Sequence, residues 1–121
     1  MTEIGRFLRK LRIDYGEILY DMAKNLGVST SFLSKVETGH KSPPLEWIDR
    51  ISEFYDLDLP QRLELENAIY EAVNQVRLNV SDQPFEKRDL AIAFARRFDS
   101  MSTEDATAFL GILNRQNNKE G

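Results

Sequence analysis

Residues 22–39 read Met22-Ala23-Lys24-Asn25-Leu26-Gly27-Val28-Ser29-Thr30-Ser31-Phe32-Leu33-Ser34-Lys35-Val36-Glu37-Thr38-Gly39, and this stretch decides the fold. Just upstream and into it, residues 17–26 place Ile18, Leu19, Met22, Ala23 and Leu26 at helical spacing, the pattern of a single apolar stripe. Gly27 stands where a helix ends in a residue of positive φ. Ser29 suits the N-cap of a second helix over about 30–38. Ala23 is small where two helices approach closely, Val28 can plug the angle between them, and Leu33 and Val36 turn inward. The spacing therefore predicts two short helices at a steep angle, a helix-turn-helix. Its second helix directs Thr30, Ser31, Ser34 and Lys35 outward, small or polar side chains that fit a major groove and can meet base edges.

The flanking sequence is also helical in pattern. Ile4, Phe7, Leu8 and Leu11 predict a helix over 3–13, with Arg6, Arg9, Lys10 and Arg12 on its other face. Gly39 to Pro44 has the composition of a loop. Residues 45–56 follow as a fourth helix, burying Leu45, Ile48, Ile51, Phe54 and Tyr55 with Trp47 beside them. Pro60 marks a boundary, since proline cannot occupy a helix interior. Beyond it, Leu65, Ile69, Ala72, Val73 and Val76 predict a long helix over 61–77. Residues 77–84 read as a connector with a short extended piece at Leu78 and Val80. Two more helices follow, one over 85–98 and one capped by Ser102 or Thr103 that buries Ala106, Phe109, Leu110 and Leu113. The expected fold is all-α. It has a helix-turn-helix domain at 1–60, a helical extension at 61–115 and a flexible tail at 116–121.

Composition narrows the function. The 121 residues carry a formal charge of −4 and no cysteine. The absence of thiols removes disulfides, thiolate metal sites and cysteine nucleophiles. There is no apolar run of membrane-spanning length and no secretion signal, so a cytoplasmic location without membrane contact is expected. Residues 1–60 and 61–121 each hold eight Lys and Arg against ten Asp and Glu. Neither half is basic, and a general nucleic-acid coat is excluded. His40 is the only histidine and has no evident partners for metal or catalytic work. Glu64, Glu66 and Glu71 read as a solvated helix face, and no catalytic constellation or cofactor signature is found. The protein is expected not to be an enzyme and to use no cofactor.

The string LGVS, followed by SFLSKVETG and a proline shortly after, resembles the helix-turn-helix of Cro/CI-type (XRE, lambda-repressor-like) transcriptional regulators over about residues 4–57. That resemblance implies a five-helix domain that binds a double-stranded, pseudo-palindromic DNA operator as a homodimer. It implies that Thr30, Ser31 and Ser34 face base edges and that Lys35 reaches a base or a phosphate. Ser29 would cap the recognition helix beside a phosphate, with Thr38, His40 and Lys41 on the backbone side and Glu37 structural. One departure stands out. Many relatives carry a phosphate-clamping glutamine at the start of the first helix of the motif, where this chain has Leu19 after Ile18, leaving the contact absent or made by a neighbour such as Tyr20.

Residues 61–115 exceed what such a domain needs. Phe85, Leu90, Phe94, Phe98, Phe109, Leu110 and Leu113 are more than so short a helical unit can bury alone, which points to dimerisation through this region. A dimer would set two recognition helices about one DNA turn apart, ~34 Å. The expected function is a dimeric repressor on an inverted-repeat operator. The alternatives are an antitoxin whose extension covers a partner toxin, and an interaction module without DNA.

Overall fold

The computed structural model describes the backbone of residues 1–120 and the side chains of residues 1–115. All regular elements among the described residues are helical. They are α1 (Glu3–Tyr15), α2 (Leu19–Leu26), α3 (Thr30–Glu37), α4 (Trp47–Phe54), α5 (Leu59–Ala72), α6 (Phe85–Arg97) and α7 (Thr103–Glu120), with a 3₁₀ turn at Phe98–Ser100. The expected tail at 116–121 overlaps α7, whose backbone continues to Glu120. Its side chains and Gly121 lie outside the described residues.

The chain forms two compact units, Met1–Val76 and Arg77 onward. In the first, α1 to α5 share one core. Ile4, Leu8 and Leu11 meet Met22, Ala23 and Leu26 from α2, Leu33 and Val36 from α3, Trp47, Ile48 and Ile51 from α4, and Leu65, Ala68 and Ile69 from α5, with Tyr55 closing one side. This unit extends past the boundary expected at residue 60. Asp58 and Gln61 form a reciprocal capping box, in which the Asp58 carboxylate accepts from the Gln61 N–H at 2.9 Å and the Gln61 amide oxygen accepts from the Asp58 N–H at 3.0 Å. Pro60 sits in the first turn of α5, where its missing N–H costs nothing and its fixed φ suits a helix. The proline starts a helix that completes the core and does not separate two units.

The register of α4 also differs from expectation. Ser42 to Pro44 have no regular structure and Leu45–Glu46 form a turn, so α4 begins only at Trp47; a residue before proline disfavours helical backbone, which keeps Ser42 and Pro43 out of the helix. The inward positions are then Trp47, Ile48, Ile51, Ser52 and Tyr55, while Leu45 and Phe54 are exposed. Trp47 is fully buried.

In the second unit no described side chain is buried. Phe94 stacks near Phe98 and Phe109, with ring centroids 5.7 and 6.3 Å apart. An apolar cleft of about 540 Å³ opens among Leu78, Val80, Leu90, Phe94, Phe109 and Leu113. The expected extended piece at Leu78 and Val80 lies in a segment without helix.

Candidate nucleic-acid interface

The helix-turn-helix forms because each local signal is satisfied. Gly27 ends α2 at φ +70°, a conformation that costs glycine nothing and other residues about 1 kcal/mol or more. Ser29 caps α3, its hydroxyl accepting from the Phe32 N–H at 3.0 Å. Leu33 and Val36 are buried, and Phe32, half-buried, sets its ring edge-to-face on Trp47 at 6.0 Å. Phe32 thus belongs to the packing and is not part of the exposed face.

The structure places all eight residues singled out from sequence at the surface. Ser29, Thr30, Ser31, Ser34, Lys35, Thr38, His40 and Lys41 are each exposed. Residues 30, 31, 34, 35 and 38 recur at one, three, one and three positions, so they share one face of α3 and its C-terminal continuation. Thr38 is committed internally. Its hydroxyl lies 3.0 Å from the Ser34 carbonyl, 3.3 Å from that of Lys35 and 2.9 Å from the His40 Nδ1. The Lys35 carbonyl also accepts from the His40 and Lys41 N–H groups at 2.8 and 3.2 Å. These bonds satisfy the last carbonyls of α3, which would otherwise be left without partners. They fix the backbone that carries His40 and Lys41.

A pair that sequence reasoning missed holds α3 in place. Arg12, placed above on the face opposite the apolar stripe, is buried, and its guanidinium grips the Glu37 carboxylate with two bonds of 2.5 and 3.0 Å. Its Nη1 also lies 3.3 Å from the Met22 sulfur, so one side chain ties α1, α2 and α3 together. The N-terminus of α1 secures the same end of α3. The Thr2 hydroxyl donates to the Glu37 carbonyl at 2.8 Å, and a Cβ on Gly5 would collide with that carbonyl. Glu37 is structural, as expected.

The start of α2 offers no cation. Leu19 packs against the core, Tyr20 and Ile18 are exposed, and the Asp21 carboxylate accepts from the Ile18 N–H at 3.0 Å. The position where the resemblance implies a clamp thus holds a leucine packed against the core. Behind α2, the Tyr55 hydroxyl donates to Glu17 at 2.7 Å and accepts from Asn25 at 3.2 Å, while the Tyr15 hydroxyl donates to the Tyr55 carbonyl at 2.5 Å. Burial pushes the Tyr55 hydroxyl well above the ordinary phenol range. The Asn25 bond opposes that shift, and the Glu17 carboxylate adds to it.

Comparison with known proteins agrees with this geometry. A helix-turn-helix domain family model matches residues 3–65, from the start of α1 to Leu65 in the core-forming part of α5. The chain belongs to this helix-turn-helix family. It is 32% identical over 72 residues to the HTH-type transcriptional regulator SlrR of Bacillus subtilis, an alignment covering 59% of this chain and 47% of that protein. The chain thus spans about half the length of this curated relative. No solved structure matches it. The resemblance to Cro/CI-type regulators read from residues 22–39 is borne out by the family match. Among the described residues, no helix is long and apolar enough to cross a membrane.

Proposed function

We propose that the protein is a sequence-specific DNA-binding transcriptional repressor that acts as a dimer on an inverted-repeat operator. The observation that carries this proposal is the mounting of α3. Its inner face is fixed by the Arg12–Glu37 pair and by Trp47, and its outer face carries only exposed small or polar side chains and a lysine. Thr30, Ser31 and Ser34 read base edges, and Lys35 reaches a base or a phosphate. Ser29, His40 and Lys41 meet the backbone, while Thr38 supports His40 from behind.

Dimerisation is assigned to the second unit. Leu90, Phe94, Phe98, Phe109, Leu110 and Leu113 are 42–65% exposed, an apolar surface that soluble monomers seldom leave open. The occupant is a second copy of the same unit. From Arg77 onward the chain holds seven Lys and Arg against seven Asp and Glu, so two copies meet without net repulsion. Two tethered half-sites then bind far more tightly than one.

Selection of bound duplexes from a random pool tests the DNA reading, with an inverted repeat expected. Ser31→Ala should change the preferred base at one position of each half-site, at a typical ~1–3 kcal/mol per lost contact. A pool without enrichment, or a Thr30→Ala, Ser31→Ala chain of unchanged affinity and preference, overturns it. Sedimentation of the full chain against a chain ending at Val76 tests the second unit. The full chain should be dimeric and the shorter one monomeric. Two monomers would refute the assignment.

A further inference from the structure

The cations assigned so far, Lys35 and Lys41, both lie at the C-terminal end of α3, with His40 between them in sequence. At the N-terminal end stand Ser29, Thr30 and Ser31, all neutral, and the start of α2 carries Ile18, Leu19 and Asp21. An eight-residue helix is about 12 Å long, close to the ~12 Å width of the major groove. A recognition helix of this length brings its two ends toward the two phosphate backbones that wall the groove. Positive charge on α3 itself stands at one end only; on the other side the last turn of α2 carries Lys24.

Arg50 supplies charge at the other end. It projects from α4 and is exposed. A Cβ on Gly27 would meet its Nη2 at 3.1 Å and its Cζ at 3.7 Å. The guanidinium therefore lies over the turn that joins α2 to α3, two residues before the Ser29 cap. Glu46 and Glu53 stand one turn away on the same helix, but among the described residues Arg50 takes part in no ion pair. The other arginines of the first unit that approach a carboxylate are spoken for: Arg6 by Glu3, Arg12 by Glu37, and Arg62 by Asp49. Gly27 gives the guanidinium its seat, since any side chain there would crowd it. The seat is also electrostatically suited, because the C-terminal end of α2 presents the negative end of its dipole to a cation.

We infer that Arg50 is a DNA-backbone contact, holding a phosphate on the N-terminal side of the recognition helix from the opposite end of α2 to Leu19, where no clamp is present. This assignment rests on the DNA-binding reading above. It makes Arg50 a positioning residue that fixes the register of α3 in the groove without itself reading a base.

The experiment uses the full chain and the duplex enriched from the random pool. Phosphate ethylation interference on the unmodified protein should show blocked positions on both backbones flanking each half-site. In Arg50→Gln, affinity should fall more than tenfold at 50 mM salt, and the slope of log K against log salt should drop by about 1.8, about 0.9 for each of the dimer's two contacts. The difference between the two proteins should therefore shrink about twelvefold between 50 and 200 mM salt. Arg50→Lys should keep most of the slope. Thermal melting of each variant runs alongside, because a purely structural Arg50 would lower the melting temperature and leave the slope intact. An unchanged slope in Arg50→Gln, or interference confined to the backbone at the Lys35 and Lys41 end, overturns the assignment while leaving DNA binding standing. If Arg50→Gln fails to fold, the ethylation pattern of the unmodified chain decides alone. A protein that enriches no duplex overturns DNA binding itself, and this assignment with it.

Discussion

Replacing Glu37 with glutamine should destabilise the first unit more than any surface change, because it leaves a buried guanidinium without its counter-charge. The side chains of Arg12 and Glu37 are only 9% and 5% exposed. Their two bonds and the Met22 contact leave Arg12 no route to water without opening the packing of α1 on α3. Breaking a buried pair from one side typically costs about 3–5 kcal/mol. A unit of this length has a total stability of about 4–11 kcal/mol at ~0.05–0.15 kcal/mol per residue. Glu37→Gln therefore removes a large share of it. At ~4–8 °C per kcal/mol for a domain of this size, a loss of about 3 kcal/mol lowers the melting temperature by roughly 12–24 °C.

Trp47 provides the assay. It is the only tryptophan and is fully buried against Phe32, so its fluorescence reports unfolding of the unit that contains α3. Urea titrations of the parent, Arg12→Met, Glu37→Gln and the doubly substituted Arg12→Met, Glu37→Met chain complete the comparison. The double change replaces a desolvated ion pair with apolar groups of similar length. Such exchanges are often neutral or stabilising, so the double variant should be more stable than either single one. Two results would refute the reasoning: a Glu37→Gln chain within about 1 kcal/mol of the parent, or a double variant as unstable as the sum of the single losses. The first would mean that the pair is solvated, the second that the two residues act independently.

Alkaline titration should isolate Tyr55. Because the folded state holds its proton well above the ordinary phenol value near 10 and the unfolded chain does not, the unfolded state ionises first, and stability falls as pH climbs past about 10. Tyr55→Phe should flatten that loss, and ultraviolet difference spectra that show all four tyrosines ionising together in the folded protein would contradict it. Ser29→Ala removes the cap of α3 and should cost ~1 kcal/mol in chemical denaturation, and an unchanged midpoint would deny the hydroxyl its capping role. Operator binding by the dimer should show a log–log salt slope near −5, from Lys35, Lys41 and Arg50 on two protomers at about 0.9 each. A slope near −2.5 would indicate that one protomer alone engages.

The helix-turn-helix was legible because its determinants are local. Ala23, Gly27, Ser29, Leu33 and Val36 act within a few residues of one another, and the structure places each as its type requires. Arg12 was misplaced although its position held the signal. It follows Ile4 and Leu8 at steps of four, on the buried stripe of α1, just as Glu37 follows Leu33 on the buried stripe of α3. Two opposite charges, each at an inward phase of its helix, mark a buried pair, but only the tertiary fold brings residues 12 and 37 together. Pro60 misled for a different reason: a proline four residues past the helix expected over 45–56 reads as a stop, while Asp58 and Gln61 around it spell a start. Arg50 had no sequence signal at all, because its role depends on the approach of α4 to the turn at Gly27.

The way charge is distributed supports the proposed dimer. Residues 1–76 hold nine Lys and Arg against thirteen Asp and Glu, an acidic unit asked to approach a polyanion. The fold neutralises part of the small positive complement internally. Arg12 is consumed in fixing α3, and Arg6 and Arg62 are paired at the surface. Only a few cations remain beside the recognition helix, too few for the counterion release that lets strongly basic proteins bind DNA as monomers. Low charge also suppresses non-specific binding, so the base-edge contacts proposed for Thr30, Ser31 and Ser34 would make up a larger fraction of the affinity. Doubling the half-site then restores strength without adding indiscriminate attraction. In the proposed dimer the second unit, neutral in net charge and apolar on its open face, would supply that doubling by burying surface that the chain alone leaves in water.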